Sequence, residues 1–207
     1  MQIDVPNGEG ELRLHNLSGK PMIADAYIFK GKFKPGSFSY NKLINSPGTV
    51  ANAITPGSTD LNDVFDGSTR KDRCGDLMTI GWLSCYSSYG YARTGTVKPD
   101  IVAPGQYYSA SYARNPDGNG VNKNAIAVDA TGKYRLFDGT SAAKPYTAGV
   151  VALIMQKKPA ITLGEIKELL RLHATRSERV TGNVPNPKWG YGKLDLAAIE
   201  GMIKAIS

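Results

Sequence analysis

Apolar and polar positions largely alternate over residues 11–17 (Glu-Leu-Arg-Leu-His-Asn-Leu), the period of two that a half-buried strand shows. Met22 to Phe29 predicts a second strand, entered through the turn at Ser18-Gly19-Lys20-Pro21. Lys30 to Lys42 carries Gly, Pro and Ser and reads as a loop or hairpin. Val50 to Thr55 predicts a short apolar strand stopped by Pro56-Gly57, and Leu77 to Ile80 predicts another. The polar segment from Asp60 to Asp76 reads as a surface loop, and Asn115 to Asn124 as a turn-rich loop. Pro99 and Pro104 bracket Asp100-Ile101-Val102-Ala103, which confines that piece to a brief extended segment between turns.

From Ser141 the pattern changes to helix. Small residues fill the first turns, and Val150-Val151-Ala152-Leu153-Ile154-Met155 follows without a polar face. Such a helix is expected to be buried. Thr162-Leu163-Gly164-Glu165 has the spacing of a capping box and opens an amphipathic helix with Ile166, Leu169, Leu170 and His173 on neighbouring turns. Thr175 to Lys188 reads as loop, and Leu194 to Ile206 as a last amphipathic helix. Short strands early, helices late and a buried helix between them predict an α/β layered domain. The strands are too few to close it, so the rest of the sheet is expected from sequence upstream.

At 207 residues the chain can form one domain, or one and a fraction, with a sizeable core. Its 41% apolar and 21% charged residues are ordinary for a globular protein, and no run of about 18 apolar residues offers a membrane span. The polar stretch after Met1 lacks the apolar core of a signal peptide. A formal charge of +7 raises nucleic acid as a partner, but the basic residues are scattered. The densest groups, Lys30-Lys32-Lys34 and Arg70-Lys71-Arg73, lack the aromatic pattern of an RNA-binding motif, so no nucleic-acid partner is expected. Cys74 and Cys85 stand eleven apart with no nearby His, which excludes a zinc site and leaves a disulfide and two free thiols both open.

The chemistry concentrates in Asp138-Gly139-Thr140-Ser141-Ala142-Ala143-Lys144-Pro145. A glycine turn delivers Thr-Ser to the start of a helix, where free N–H groups and the positive dipole end converge. That position suits a nucleophile whose reaction creates an oxyanion. The competing structural role is the commoner one, in which Thr140 or Ser141 simply N-caps the helix.

Four stretches in order resemble the subtilisin-like serine peptidases. Gly139-Thr140-Ser141 with Pro145 and Ala148-Gly149 resembles the family's nucleophile motif, Gly-Thr-Ser-Met-Ala-x-Pro-His-Val-Ala-Gly. Lys98-Pro99-Asp100-Ile101-Val102-Ala103-Pro104-Gly105 matches the segment that precedes it in those enzymes. Trp189-Gly190-Tyr191-Gly192-Lys193-Leu194-Asp195 is similar to the Gly-Tyr-Gly turn before the family's final helix, and Ser46 to Gly57 to the strand-turn before the substrate cleft. The resemblance covers residues 46–207 and implies the C-terminal half of a three-layer α/β subtilisin-like domain: part of the parallel sheet, a buried nucleophile helix and two C-terminal helices. Residues 1–45 fall outside it and are expected to form a β-rich segment.

By this resemblance Ser141 is the nucleophile of a serine endopeptidase acting on peptide or protein substrates. The Ser141 N–H and the Thr140 side chain would serve the oxyanion, and Gly139 and Ser46 would contact substrate. The resemblance implies no organic cofactor. It allows a structural calcium ion, for which no dense Asp cluster is visible, and is compatible with a secreted or cell-envelope location. The motif departs from the family at Ala142 (Met is usual), Lys144 (small), and Tyr146-Thr147 (His-Val). The family's Asp-[Ser/Thr]-Gly and His-Gly-[Thr/Ser] elements and its oxyanion Asn are absent from this sequence. His15 and His173, the two histidines present, stand where the family places no base. Base, acid and Asn are therefore expected from the missing N-terminal half of the domain. Two alternatives remain: an inactive pseudopeptidase serving as a binding module, and a Ser141–Lys144 dyad hydrolase, in which Ser-x-x-Lys stacks the amine one turn from the hydroxyl. Against the dyad, Pro145 is expected to disturb the helix just there.

Overall fold

The computed structural model describes residues 10–11, 13–24, 26–28, 33–36, 41–61, 64–65, 68–69, 74, 79–112, 126–127 and 133–207. The chain divides into two compact units, Met1–Pro35 and Gly36–Ser207. In the first unit the alternation at 11–17 forms no strand: its described residues are exposed and make no ladder. Met22 to Ile28 is likewise exposed and irregular where described. Alternation specifies a strand only when a partner supplies the ladder and a core receives the apolar side.

The second unit runs β1 (Pro56–Asp60), β2 (Val64–Phe65), β3 (Ser68–Thr69), β4 (Gly90–Tyr91), β5 (Val97–Lys98), β6 (Ile101–Gln106), β7 (Tyr108–Ser111), β8 (Ile126–Ala127), β9 (Tyr134–Phe137), α1 (Thr140–Lys157), α2 (Leu163–His173) and α3 (Leu196–Ala205). Strands β1 and β6 pair in parallel, and every residue of β1 is buried. A fully buried parallel strand need not alternate, which is why Pro-Gly-Ser-Thr-Asp gave no strand signal. Pro56 therefore starts the strand instead of stopping one, as the first position of a strand tolerates a missing N–H. Residues 50–55 are turn and irregular backbone. Thr79 and Ile80 are also outside any strand, while residues 75–78 and 115–124 lie outside the described residues.

The second correction concerns Pro104, which does not end the extended segment. β6 continues through it to Gln106, and the register slips there: Thr59 faces Pro104 but Asp60 faces Gln106. The bulge absorbs Gly105 at the place where proline has already removed a donor. On its other edge β6 meets the Trp189–Leu194 segment, with Tyr191 N–H donating to Asp100 O, Val102 N–H to Gly192 O and Leu194 N–H to Val102 O at 2.7–3.0 Å. β7 and β9 pair antiparallel, with β8 on the far side of β9, so Phe137 hands the chain directly to α1.

One core joins these elements. Ile101 and Ala103 of β6 pack with Ala143, Val150 and Ile154 of α1, Ile166 and Leu170 of α2, and Ala198 and Met202 of α3. Pro145 leaves α1 unbroken, because the helix runs from Thr140 through it to Lys157. The expectation of a wholly buried helix fails: Ala142, Ala143, Thr147, Val150 and Ile154 are buried, whereas Leu153 is 51% and Met155 46% exposed. Ala148, Gly149 and Ala152 are exposed too. Among the described residues, no helix is long and apolar enough to cross a membrane.

Beneath this core lies a buried ion cluster. Lys98, with no exposed side-chain surface, donates to Asp100 Oδ2 at 2.7 Å and to Ala53 O at 3.1 Å. Asp100 also receives Thr55 N–H at 2.7 Å, and Lys167 Nζ of α2 lies 3.4 Å from its other oxygen. Removing the carboxylate would strand a buried ammonium, so Asp100→Ala should destabilise folding by about 3–5 kcal/mol in denaturant titration.

α2 opens on the capping box read from the sequence. Thr162 accepts from Glu165 N–H, and the Glu165 carboxylate accepts from Thr162 N–H at 2.8 Å. The Lys158 ammonium first, then the Thr162 N–H and hydroxyl, hold the Glu165 carboxyl down at about 2 from an ordinary 4.5. A pKa depressed by folding contributes stability above the unfolded value and loses it as pH falls through the folded one. Glu165→Ala should therefore lower the melting temperature at neutral pH, and the gap to the parent chain should narrow between pH 4.5 and about 2 in thermal scans.

Candidate active site

Ser141 is the second residue of α1, and its side chain is exposed. The helix is N-capped by Gly139, at φ 103°, with no side-chain cap bond. The capping role for Thr140 or Ser141 is therefore not the one the structure uses. A φ in this range is open to glycine and costly for other residues, so Gly139 makes the turn that Thr140 and Ser141 follow. Gly139 O accepts Ala142 N–H at 2.9 Å and Ala143 N–H at 3.3 Å, and so satisfies the inner donors of the first turn. The Thr140 and Ser141 N–H groups precede them at the positive end of the dipole. Further in, Pro145 has no N–H to return to Ser141 C=O, four residues back.

The bulge of β6 supports this turn from below. A Cβ built on Gly105 would stand 2.8 Å from Gly139 O, 2.5 Å from Ser58 Oγ and 3.1 Å from Ala143 Cβ. Only a hydrogen at this position allows β6 to lie so close under the mouth of α1. From the side, Tyr86 Oη accepts the Gly139 N–H at 3.0 Å. Tyr86 belongs to the Ser84–Ser87 turn, which is strapped to β1 by Ser84 N–H to Ser58 O (2.9 Å) and Ser58 N–H to Ser87 Oγ (3.0 Å). Burial pushes the Tyr86 phenol above its ordinary 10. Cys85 within this turn is disulfide-bonded to Cys74, which settles the pairing that spacing left open.

The expected site residues do not all gather here. Gly139, Thr140 and Ser141 lie together above the C-terminal ends of β1 and β6. Ser46 is exposed in the turn leading to β1, and that turn is tied by Thr55 Oγ1 to Gly48 O at 2.7 Å. Thr55 neighbours Asp100 at the N-terminal end of the same strands, so Ser46 and Ser141 belong to opposite ends of the pair. Lys144 is exposed, against the burial that a lysine base needs to shed its proton. His173 ends α2 and packs on Gly201 of α3, and His15 is exposed in the 1–35 unit. Among the described residues, no group of three His, Cys, Asp or Glu side chains could hold a metal ion.

Sequence reading passed over Tyr86, Ser58, Ser84 and Asp60. Ser58 and Asp60 sit in a strand without alternation, and Ser84-Cys85-Tyr86-Ser87-Ser88 looks like an ordinary polar turn. The available signal was an aromatic hydroxyl amid serines, just ahead of the Lys98–Gly105 segment.

Ser141 thus stands at a helix mouth, over the carboxyl ends of two parallel strands. The family model for the subtilase family matches residues 35–192, and the chain belongs to that family. It is 34% identical over 131 residues to the serine protease AprX of Bacillus subtilis (strain 168), a match covering 63% of this chain and 26% of that protein. It is 31% identical over 134 residues to a calcium-dependent protease of Nostoc sp. (strain PCC 7120 / SAG 25.82 / UTEX 2576), covering 61% of this chain and 20% of the other. The chain thus spans about a quarter or less of the length of these relatives. The fold is similar to that of the Clostridium perfringens CspB protease, with TM-score 0.53, 23% identity, and 80% of this chain and 29% of that one covered. It is also similar to fervidolysin from Fervidobacterium pennivorans, with TM-score 0.51, 23% identity, and 77% and 20% covered.

The tight stacking of Gly105 under Gly139 can be tested directly. Gly105→Ala should destabilise the chain by about 1–3 kcal/mol, the usual cost of overpacking. It should also shift the Ala142 amide resonance, whose N–H binds the displaced Gly139 carbonyl, in two-dimensional NMR spectra.

Proposed function

We propose that this chain is the nucleophile-bearing half of a serine endopeptidase domain. The observation that carries the reading is Ser141 itself, exposed at the second position of α1 behind the Gly139 turn, in a chain of the subtilase family. Ser141 Oγ attacks the carbonyl carbon of a peptide bond while a general base removes its proton. The carbonyl oxygen becomes an oxyanion, which the Ser141 N–H and the Thr140 side chain receive at the helix mouth. Collapse of that intermediate breaks the C–N bond, the amine leaves with the proton, and water later releases the acyl group from Ser141. Gly139 lines the approach to the carbonyl.

Base, orienting acid and a further oxyanion donor come from peptidase-domain sequence outside these 207 residues. Two features support that division. His173, at the end of α2, packs on Gly201 of α3, and the relatives are about four to five times as long as the region matched. The exposed apolar strip of α1, with Ala148, Ala152, Leu153 and Met155, is the surface on which the remainder of such a domain would pack. The lack of a base also favours one second reading, an inactive binding module that keeps the scaffold. The Ser141–Lys144 dyad has no comparable support, since Lys144 is solvated.

A fluorophosphonate probe separates these readings. The 207-residue chain alone should fail to label. A form carrying the upstream half should label at Ser141, Ser141→Ala should abolish the signal, and Lys144→Met should leave it unchanged. Labelling of the lone chain that Lys144→Met removes would establish the dyad; an extended form that never labels would establish the binding module.

A further inference from the structure

The turn that presents Ser141 is held by a run of buried hydroxyls. Gly139 N–H donates to Tyr86 Oη at 3.0 Å, and Tyr86 Oη lies 3.2 Å from Ser58 Oγ and 3.5 Å from Gly105 O. Ser58 Oγ lies 3.0 Å from Ser84 Oγ, which donates to Asp60 Oδ1 at 2.8 Å. Ser58 and Ser84 are wholly buried, and Asp60 is 5% exposed.

At one end of this run the Gly139 amide can only donate, and Tyr86 Oη accepts from it; at the other end Ser84 gives its proton to Asp60 and so accepts from Ser58. The Tyr86 proton is shared between Ser58 Oγ and Gly105 O, both within reach. Buried hydroxyls linked in this way polarise one another. The run connects β1, the 84–87 turn and the approach to α1, three segments far apart in sequence. Its last link grips the residue two before Ser141, whose carbonyl is already fixed by Ala142 and Ala143 and whose underside rests on Gly105.

We propose that Tyr86 is a positioning residue for Ser141: its hydroxyl, oriented by Ser58, Ser84 and the buried Asp60 carboxylate, locks the Gly139 peptide and thereby sets where Ser141 Oγ and its N–H stand. This rests on the reading of Ser141 as the nucleophile. Tyr86 bonds the Gly139 N–H, two residues before Ser141. It acts by holding the Gly139 plane, because rotation of that peptide would swing the first turn of α1 and with it both the attacking oxygen and the oxyanion donor. Misplacement on the scale of an ångström is enough to slow a reaction by orders of magnitude.

The test uses Tyr86→Phe, which keeps the ring and removes only the hydroxyl, with the exposed Tyr91→Phe as control and Ser58→Ala as a break one link further back. In the 207-residue chain, amide hydrogen exchange at Gly139 should quicken about tenfold in Tyr86→Phe, less in Ser58→Ala, and not at all in Tyr91→Phe. In the form extended with the upstream half, fluorophosphonate labelling measured against probe concentration should show a limiting rate about tenfold lower in Tyr86→Phe with an unchanged half-saturating concentration. A merely structural role would lower the melting temperature without splitting those two constants. Unchanged exchange at Gly139 would overturn the proposal, as would faster exchange with an unaltered limiting rate. Should Tyr86→Phe fail to fold, Ser58→Ala carries the same two readouts. Persistence of labelling in Ser141→Ala would instead sink the nucleophile reading, and the exchange result would still report independently on whether the hydroxyl holds the turn.

Discussion

The backbone of β6 is the constraint on which the rest depends. Its amides and carbonyls are buried, and a buried main-chain group without a partner costs as much as a lost hydrogen bond. β1 satisfies one edge in parallel register, and the 190–194 segment satisfies the other through Tyr191, Val102 and Leu194. With both edges occupied, the side chains of Ile101 and Ala103 are fixed in the core against α1, α2 and α3. The same strand then spends its end differently: Pro104 gives up a donor, Gly105 gives up a side chain, and the bulge brings naked backbone beneath Gly139. A sheet strand that was regular to its last residue could not let the helix mouth come so near.

Much of the C-terminal part was legible because its signals are local. Thr162 and Glu165 satisfy each other's backbone donors within four residues, so the start of α2 could be read without knowing what it packs on. Asp195 capping α3 through Ala198 N–H is the same kind of signal. The Gly139-Thr140-Ser141 turn was legible for a related reason: a φ of 103° restricts that position to glycine wherever the turn occurs.

What escaped the sequence was set by partners distant along the chain. β1 has no alternation because both its faces are buried, and Pro56 reads as a stop until the parallel partner is seen to need nothing from its nitrogen. The alternating stretch at 11–17 fails for the opposite reason, having the period of a strand and no ladder to join. Tyr86 was invisible because its value lies in Gly139, 53 residues later, and in Ser58, 28 earlier. Period and composition carry no information on such meetings. Ser46 lies in a turn whose tie, Thr55 to Gly48, is likewise made by a residue further along the chain.

The two sides of α1 are packed unequally. One side supplies Ala143, Val150 and Ile154 to the core, and the small residues Ala142 and Ala143 let it sit close on β6. The other side is just as apolar, with Leu153 and Met155 about half exposed. A surface helix would gain by placing polar residues there, and this sequence has none between Ala148 and Met155. Such a helix is composed for burial on both sides, and in this chain only one is covered. Ser141 sits at the end of that same helix, and in the reading proposed above the elements that cover its bare side are those that reach its hydroxyl. On that reading, completion of the core and of the catalytic group is one structural event, while the hydroxyl run from Asp60 to Gly139 already ties the serine turn to β1 within this chain.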